Sequence, residues 1–343
     1  MTDFLLQYGL FLAKTLTLTA AVVVVVAGFF ALLREAREHA HDHLEIKNIN
    51  DRFELMADTL NQHLLTDAEL KQQHKQRKAD AKAREKAAKQ GRQPRIRVFT
   101  LGFDGDLNAS PVESLREEIS AILQVARKDD EVLLRLESEG GLVHSYGLAA
   151  SQLTRIRDRN IKLTVAVDKV AASGGYLMAC VADKILAAPF AILGSIGVVA
   201  QLPNFHRLLQ KNNVDFELHT AGAYKRTLTL FGENTDAARE KFREELEDTH
   251  QLFKAFVTEN RPTLDIEKVA TGEHWFGTRA LALRLVDEIK TSDDYLLDRS
   301  KDADLYEVKY RRRQSLGDRL SHGLVKLGLG LRGGIEKALP RAL

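Results

Sequence analysis

Between residues 96 and 187, short apolar runs alternate with helix-length amphipathic stretches, and this alternation constrains the fold more than any other feature. Val98 to Leu101, Val132 to Leu136, Ile161 to Val167 and Lys184 to Ala187 each have the length and composition of a buried strand. Between the first two, Ser110-Pro111 followed by Glu113 reads as a helix start with an N-cap, a proline at N1 and a capping-box glutamate. Leu115, Ile119, Ile122, Leu123 and Ala126 mark the buried face of that helix. A Gly140-Gly141 turn leads into a second helix, about Val143 to Arg157. Strands regularly interrupted by such helices cannot pair as hairpins, so the pattern predicts βαβ units and a mostly parallel sheet.

Ala172-Ser173-Gly174-Gly175-Tyr176 follows the third strand, and Leu177 to Ala182 reads as a short, tightly packed helix. Ser173 is thereby placed at or beside a helix N-cap, where unpaired N–H groups and the helix dipole favour a developing oxyanion. Gly174 and Gly175 leave room for a peptide carbonyl. A plain capping serine fits the same pattern. A nucleophilic serine needs a base. His144, His206, His219, His250 and His274 all lie in the domain, none in a distinctive setting. The alternative is a lysine kept neutral, and Lys225 follows Thr220-Ala221-Gly222-Ala223-Tyr224 and precedes Arg226, whose charge disfavours a second cation. Taken alone, Lys225 reads as a surface lysine.

The N-terminus has a different character. No charged residue occurs from Thr15 to Leu33, and Ala20 to Leu33 is almost wholly apolar, long enough with Phe4 to Ala13 to cross a bilayer as one helix. No small-residue cleavage site separates it from Arg34-Glu35, which favours a retained anchor over a cleaved signal peptide. Arg34, Arg37 and Lys47 outnumber Lys14 and the α-amino group, a bias toward a cytoplasmic C-terminal part too small to fix orientation. Four regions follow: an anchor over 1–33, a polar connector over 34–94, an α/β domain over 95–295 and a basic amphipathic tail over 296–343. The connector holds a plausible amphipathic helix over Asn50 to Leu65 and a Lys/Arg/Gln/Ala-rich stretch from Lys71 to Arg95, read as solvated. His39, His41 and His43 lack a second ligand cluster, so no metal is assigned. In the tail, Arg311 to Arg313 combine with Leu316, Leu320, Leu324, Leu327 and Leu331, a pattern suited to a membrane surface or another subunit.

A net charge of +2 over 343 residues argues against a dedicated nucleic-acid binder. The single cysteine, Cys180, excludes an intramolecular disulfide and reads as a small core residue. Ile192 to Val199, with Gly194-Ser195-Ile196-Gly197, is too short and glycine-broken for a second membrane span. Asn204 to Lys211 and Thr235 to Thr258 read as helices, the second with Phe242, Leu246, His250, Phe253 and Phe256 along one face.

Taken in order, the Gly140-Gly141 turn, the Ser173 motif, Gly194-Ser195-Ile196-Gly197-Val198 and Lys225 in its Ala-Gly-Ala-Tyr context resemble the signal peptide peptidase A family of membrane-anchored serine peptidases, in its single-domain SohB-like branch. Gly272-Glu273-His274-Trp275, Ala280 and Leu285-Val286-Asp287-Glu288 resemble its closing motif. The resemblance runs from the anchor to about Lys290. It implies a ClpP/crotonase-like fold and a Ser–Lys dyad, with Ser173 as nucleophile, Lys225 as general base, Ser195 orienting the lysine, and the amides of Gly141 and Gly174 as the oxyanion hole. It implies no cofactor or metal. Substrates would be unfolded peptides or signal-peptide remnants, cleaved through an acyl-enzyme at a bacterial inner membrane, in contact with lipid through the N-terminal helix. A homo-oligomeric ring would enclose the site, with Thr235 to Thr258 and Gly272 to Ile289 at its contacts. Glu139 stands where the family has proline, which bears on the rigidity of the oxyanion turn, and Arg284 stands where it has glycine. A crotonase-type enzyme acting on acyl-CoA thioesters would share the fold but has no use for Ser173 with Lys225. An inactive membrane scaffold would not need to keep either residue.

Overall fold

The computed structural model describes residues 9–24, 26–27, 42–89 and 95–312. The chain divides into two units, one formed by 1–45 with 310–343, the other by 46–309. In the first, residues 9–24 are helical and exposed. Among the described residues no helix is long and apolar enough to cross a membrane. Much of the expected anchor (1–8, 25 and 28–33), His39 and His41, and the leucine-rich tail lie outside the described residues.

The strands are β1 (His43–Asn48), β2 (Ile96–Gly105), β3 (Glu131–Ser138), β4 (Lys162–Val167), β5 (Val170–Ala172), β6 (Lys184–Ala187), β7 (Ile192–Gly194), β8 (His274–Phe276), β9 (Glu288–Ile289) and β10 (Ala303–Arg311). The helices are α1 (Ile49–Leu64), α2 (Asp67–Lys89), α3 (Val112–Val125), α4 (Val143–Arg157), α5 (Gly174–Ala179), α6 (His206–Lys211), α7 (Asp236–Asn260), α8 (Ile266–Val269), α9 (Gly277–Ala282) and α10 (Ser292–Arg299). The main sheet runs β1-β10-β2-β3-β4-β6-β9, and every pair from β10 to β9 is parallel, as the βα alternation predicts. β10, formed by residues assigned from sequence to the C-terminal tail, pairs with β2 inside the sheet.

Successive strand residues serve opposite faces. Leu163, Val165 and Val167 join Leu134, Leu136, Ile119 and Leu153 in the larger core under α3, α4 and α5. Ala166, Leu133, Val98 and Leu186 point the other way, into a second core closed by Ile49 and Phe53 of α1 and by Tyr295 and Leu296 of α10. Cys180 is fully buried, and that burial pushes its thiol pKa up, as for a packing residue.

The start of α3 departs from the capping-box expectation. The helix begins at Val112, and Pro111 in the cap position makes no side-chain cap bond. Instead the Asp106 carboxylate accepts the amides of Asn108 (3.1 Å) and Ser110 (2.8 Å), turning the chain before the helix. Sequence spacing could not reveal that acceptor, because Asx-type turns and N-caps draw on the same residues.

Asp130, just before β3, has no exposed side-chain surface, yet accepts from the Arg97 amide (3.0 Å), the Arg127 amide (2.7 Å) and both guanidinium groups. Burial alone would raise its pKa, but the hydrogen bonds from Arg97 and Arg127 outweigh it and lower the value to about 2. A carboxyl depressed in the folded state stabilises the fold above its unfolded pKa, and that contribution is lost as pH falls through the folded value. Asp130 is therefore expected to contribute about 2 kcal/mol at neutral pH that disappears between about pH 4 and pH 2. Urea unfolding at stepped pH should show this decline, and Asp130→Asn should be less stable at pH 7 with a shallower acid limb.

Candidate active site

Two short parallel strands position the site. β5 pairs with the end of β3 at Ser138↔Ala171 and with β7 through Ala172↔Gly194. The Ser173 amide donates to the Gly194 carbonyl at 2.8 Å, so the ladder extends to the nucleophile candidate itself. Ser173 and Ser195 thus leave neighbouring strands side by side, each one residue beyond the last register pair. Both have left-handed backbones, φ 52° and 51°. A non-glycine residue adopts this region only at a cost of about 1–3 kcal/mol, which the surrounding structure must sustain.

Ser173 occupies the N-cap position of α5, with ψ −119°, but its hydroxyl makes no capping bond. The capping reading is therefore set aside. Among the described residues, the amides of Gly141 and Gly174 also donate to no backbone acceptor.

Glycine is needed at these turns for close approach. A Cβ on Gly174 would lie 2.4 Å from the Tyr146 ring, and one on Gly141 would lie 2.1 Å from the Leu107 carbonyl oxygen. Gly140, at φ +92°, brings its turn against the Gly174 amide, where an added Cβ would approach to 2.7 Å.

Ser173 stands where two cavities meet. One, of about 430 Å³, is apolar, lined by Val143, Leu177, Val198, Leu252, Phe253 and Phe256, with Gly141, Ser173 and Gly174 at its edge. The other, of about 910 Å³, is more polar and is lined by Glu139, Ser195, Arg243, Glu247, His250 and Thr271, again with Gly141 and Ser173. α7 serves both, with Arg243, Leu246, Glu247 and His250 lining the polar cavity and Thr249, Leu252, Phe253 and Phe256 the apolar one. His250, unremarkable in sequence, buries its Nε2 in this region with no hydrogen-bond partner among the described residues. The i, i+3 spacing of His250, Phe253 and Phe256 marked a common helix face, but only the fold shows what that face lines.

Ser173, Ser195, Gly141 and Gly174 are thus brought together. Lys225 is not. Its side chain is exposed, and it lines neither cavity.

The segments behind the site are fastened to one another. The Ser195 amide donates to the Glu273 carbonyl (2.6 Å), and β8 pairs antiparallel with β7. Tyr176 of α5 donates its hydroxyl to the Leu285 carbonyl at 2.9 Å. Asp287 accepts the Ile185 amide (2.7 Å) and a bidentate pair from Arg261 (2.7 and 2.8 Å). Burial works to raise the Asp287 pKa, but hydrogen bonds from Arg261 and Ile185 outweigh it and lower it. The closing motif read in the sequence is therefore a brace for β6, β7 and α5.

Residues 3–153 match peptidase family S49 N-terminal, and residues 155–306 match peptidase family S49. A probable protease SohB of Haemophilus influenzae is 52% identical over 324 residues, covering 92% of each chain. The chain belongs to peptidase family S49. A second probable protease SohB, from Buchnera aphidicola subsp. Schlechtendalia chinensis, is 51% identical over 305 residues, covering 87% of this chain and the whole of that one. Among solved structures, a variant of the 1510-N membrane-bound stomatin-specific protease in complex with a substrate peptide superposes with TM-score 0.42 at 12% identity, covering 68% of this chain and 100% of that one. The family match and the two SohB relatives make this chain a SohB-like S49 peptidase, and its own sheet gives it an α/β fold.

Because a Cβ on Gly141 would meet backbone rather than a movable side chain, Gly141→Ala must displace the turn. The family resemblance implies that the Gly141 amide serves an oxyanion, and losing one such donor typically costs about 10²–10³ in kcat. Casein hydrolysis by Gly141→Ala should fall by at least about tenfold, with circular dichroism reporting a retained fold.

Proposed function

We propose that this S49 peptidase is a membrane-anchored serine endopeptidase that cleaves unfolded peptides or signal-peptide remnants through an acyl-enzyme on Ser173. The observation that carries the reading is the strained Ser173 turn, with its hydroxyl unspent on capping, between the Gly141 and Gly174 amides at the junction of two cavities. In this reading Ser173 Oγ attacks the scissile carbonyl carbon and its proton passes to neutral Lys225. The two glycine amides hold the carbonyl oxygen as it becomes an oxyanion. Collapse expels the amine, which takes the proton from Lys225, and water then hydrolyses the ester by the same route. Ser195, beside Ser173, would hold the lysine amine in line. The apolar cavity would receive an apolar side chain on the acyl side of the scissile bond.

An exposed Lys225 requires a further element. In the same 199–231 stretch of chain, Val199 (81% exposed), Phe205, Leu208, Phe216 and Tyr224 (66%) leave apolar surface uncovered. Burial of such surface drives association, so in this reading copies of the chain pack over it and bring Lys225 to a Ser173 within the assembly. The enclosed site would admit extended chains and exclude folded proteins. The uncharged stretch Thr15 to Leu33 would anchor the assembly in a bacterial inner membrane.

One observation favours a second base. His250 shares the polar cavity with Ser173 and Ser195, and Lys225 does not. Substitution separates the two. With Lys225 as base, Ser173→Ala, Lys225→Ala and Lys225→Arg should each abolish casein cleavage, the Ser173/Lys225 double variant being no worse, because guanidinium does not release its proton and the pair acts as a unit. Retained activity in Lys225→Arg with loss in His250→Ala would move the base to His250, and wild-type cleavage by Ser173→Ala would overturn the serine mechanism. Labelling of Ser173 by a serine-directed phosphonate would also separate a peptidase from an acyl-CoA enzyme or an inactive scaffold.

Assembly is tested separately. Light scattering on the detergent-solubilised chain should give a multiple of the 38.4 kDa monomer, and the protein should degrade denatured casein while sparing a stably folded protein. A fully active monomer would refute the ring and leave the Ser173 chemistry standing.

A further inference from the structure

Glu139 sits where a proline would stiffen the Gly140-Gly141 turn, so something else must hold it. The polar groups beneath the turn form one directed chain. The Gly140 amide donates to Ser138 Oγ at 3.1 Å. Ser138 Oγ lies 2.5 Å from Tyr146 Oη, and Tyr146 Oη donates to the Asp106 carbonyl at 2.8 Å. The phenol has a single proton, already given to Asp106, so Ser138 must donate to Tyr146. Hydrogen bonds aligned head to tail in a low-dielectric interior polarise and strengthen one another. Tyr146 is fully buried and Ser138 is 2% exposed. Burial also raises the Tyr146 pKa, which keeps the donor proton in place.

The same tyrosine touches the other half of the oxyanion hole. Its ring packs against the Gly174 backbone so closely that no Cβ fits between them. The loop it grips is also tied to the first turn, since Leu142 donates its amide to the Leu107 carbonyl at 2.9 Å. One side chain therefore spans three segments: the hydroxyl fixes the 138–142 turn through Ser138 and the 106–107 loop through Asp106, and the ring fixes the first residue of α5.

We infer that Tyr146 is a positioning residue for the oxyanion hole, setting the separation of the Gly141 and Gly174 amides and replacing a proline's constraint on the first turn with a hydrogen-bonded relay. The inference rests on the serine-peptidase reading above. Amide placement acts on the transition state far more than on the bound substrate, so its disturbance falls on kcat.

The test is Tyr146→Phe, which keeps the ring against Gly174 and removes only the relay hydroxyl. Measured with the full-length chain in detergent on a chromogenic peptide, kcat should fall by about 10- to 100-fold, with KM within about threefold of wild type. Affinity for a peptide aldehyde, which forms an oxyanion adduct, should fall by a similar factor, whereas affinity for the cleaved peptide product should not. A purely structural tyrosine would lower the fraction of active protein and leave the aldehyde affinity of the remainder unchanged. Ser138→Ala cuts the relay at the next link and should reproduce the effect, with the double variant no worse than either single one, and it carries the test if Tyr146→Phe does not fold. Wild-type kcat and aldehyde affinity in these variants, with Ser173→Ala inactive, would overturn the inference alone. Activity surviving in Ser173→Ala would instead overturn the reading beneath it.

Discussion

The register between β5 and β7 is the constraint on which the site depends. Pairing Ala172 with Gly194 and extending the ladder by one bond to Ser173 places two serines abreast at the ends of parallel strands. A slip of one residue would reverse the faces of the whole strand. Ala171 and Leu193, both buried, would then turn outward, so the core enforces the register and the register places the hydroxyls. The left-handed backbones at both serines persist because each is held on two sides: Ser173 by Gly194 and the start of α5, Ser195 by Gly194 and the Glu273 carbonyl.

Around that ladder the molecule combines rigidity with exposed surface. β3 continues through Ser138 into the Gly140-Gly141 turn and pairs at that residue with β5, which leads to Ser173 and Gly174. α4 supplies Tyr146, and α7 contributes side chains to both cavities. By contrast, the 199–231 segment leaves much of its apolar surface uncovered, and Lys225 lies within it. Under the serine–lysine reading, the nucleophile and oxyanion donors belong to the well-packed part of one chain and the base to a surface completed by association. Activity would then depend on assembly.

Much of the fold was legible in sequence because it follows from periodicity. Apolar runs at 98–101, 132–136 and 161–167 each became a parallel strand, since buried strands between amphipathic helices have few alternatives. The family resemblance also singled out Ser173, Ser195, Gly141 and Gly174, and the fold places these four on the lining of two cavities that share Ser173 and Gly141. The start of α3 was not legible. Ser110 and Glu113 spell a capping box, but the Asp106 carboxylate already holds the Ser110 amide.

The sequence by itself determined which residues could form strands, which turns required glycine and which serine stood at a strand–helix junction, because these depend on neighbours a few residues away. Only the tertiary structure decided that the Ser173 hydroxyl makes no capping bond, that Tyr146 reaches both glycine turns, and that His250 and Phe253 line cavities that Ser173 also lines. Tyr146 and Gly174 stand 28 residues apart and Ser173 and Phe253 stand 80 apart, and no local pattern encodes the distance across a packed core. The position of Lys225 follows the same logic: its small-residue context marked it, but the fold left it at the surface.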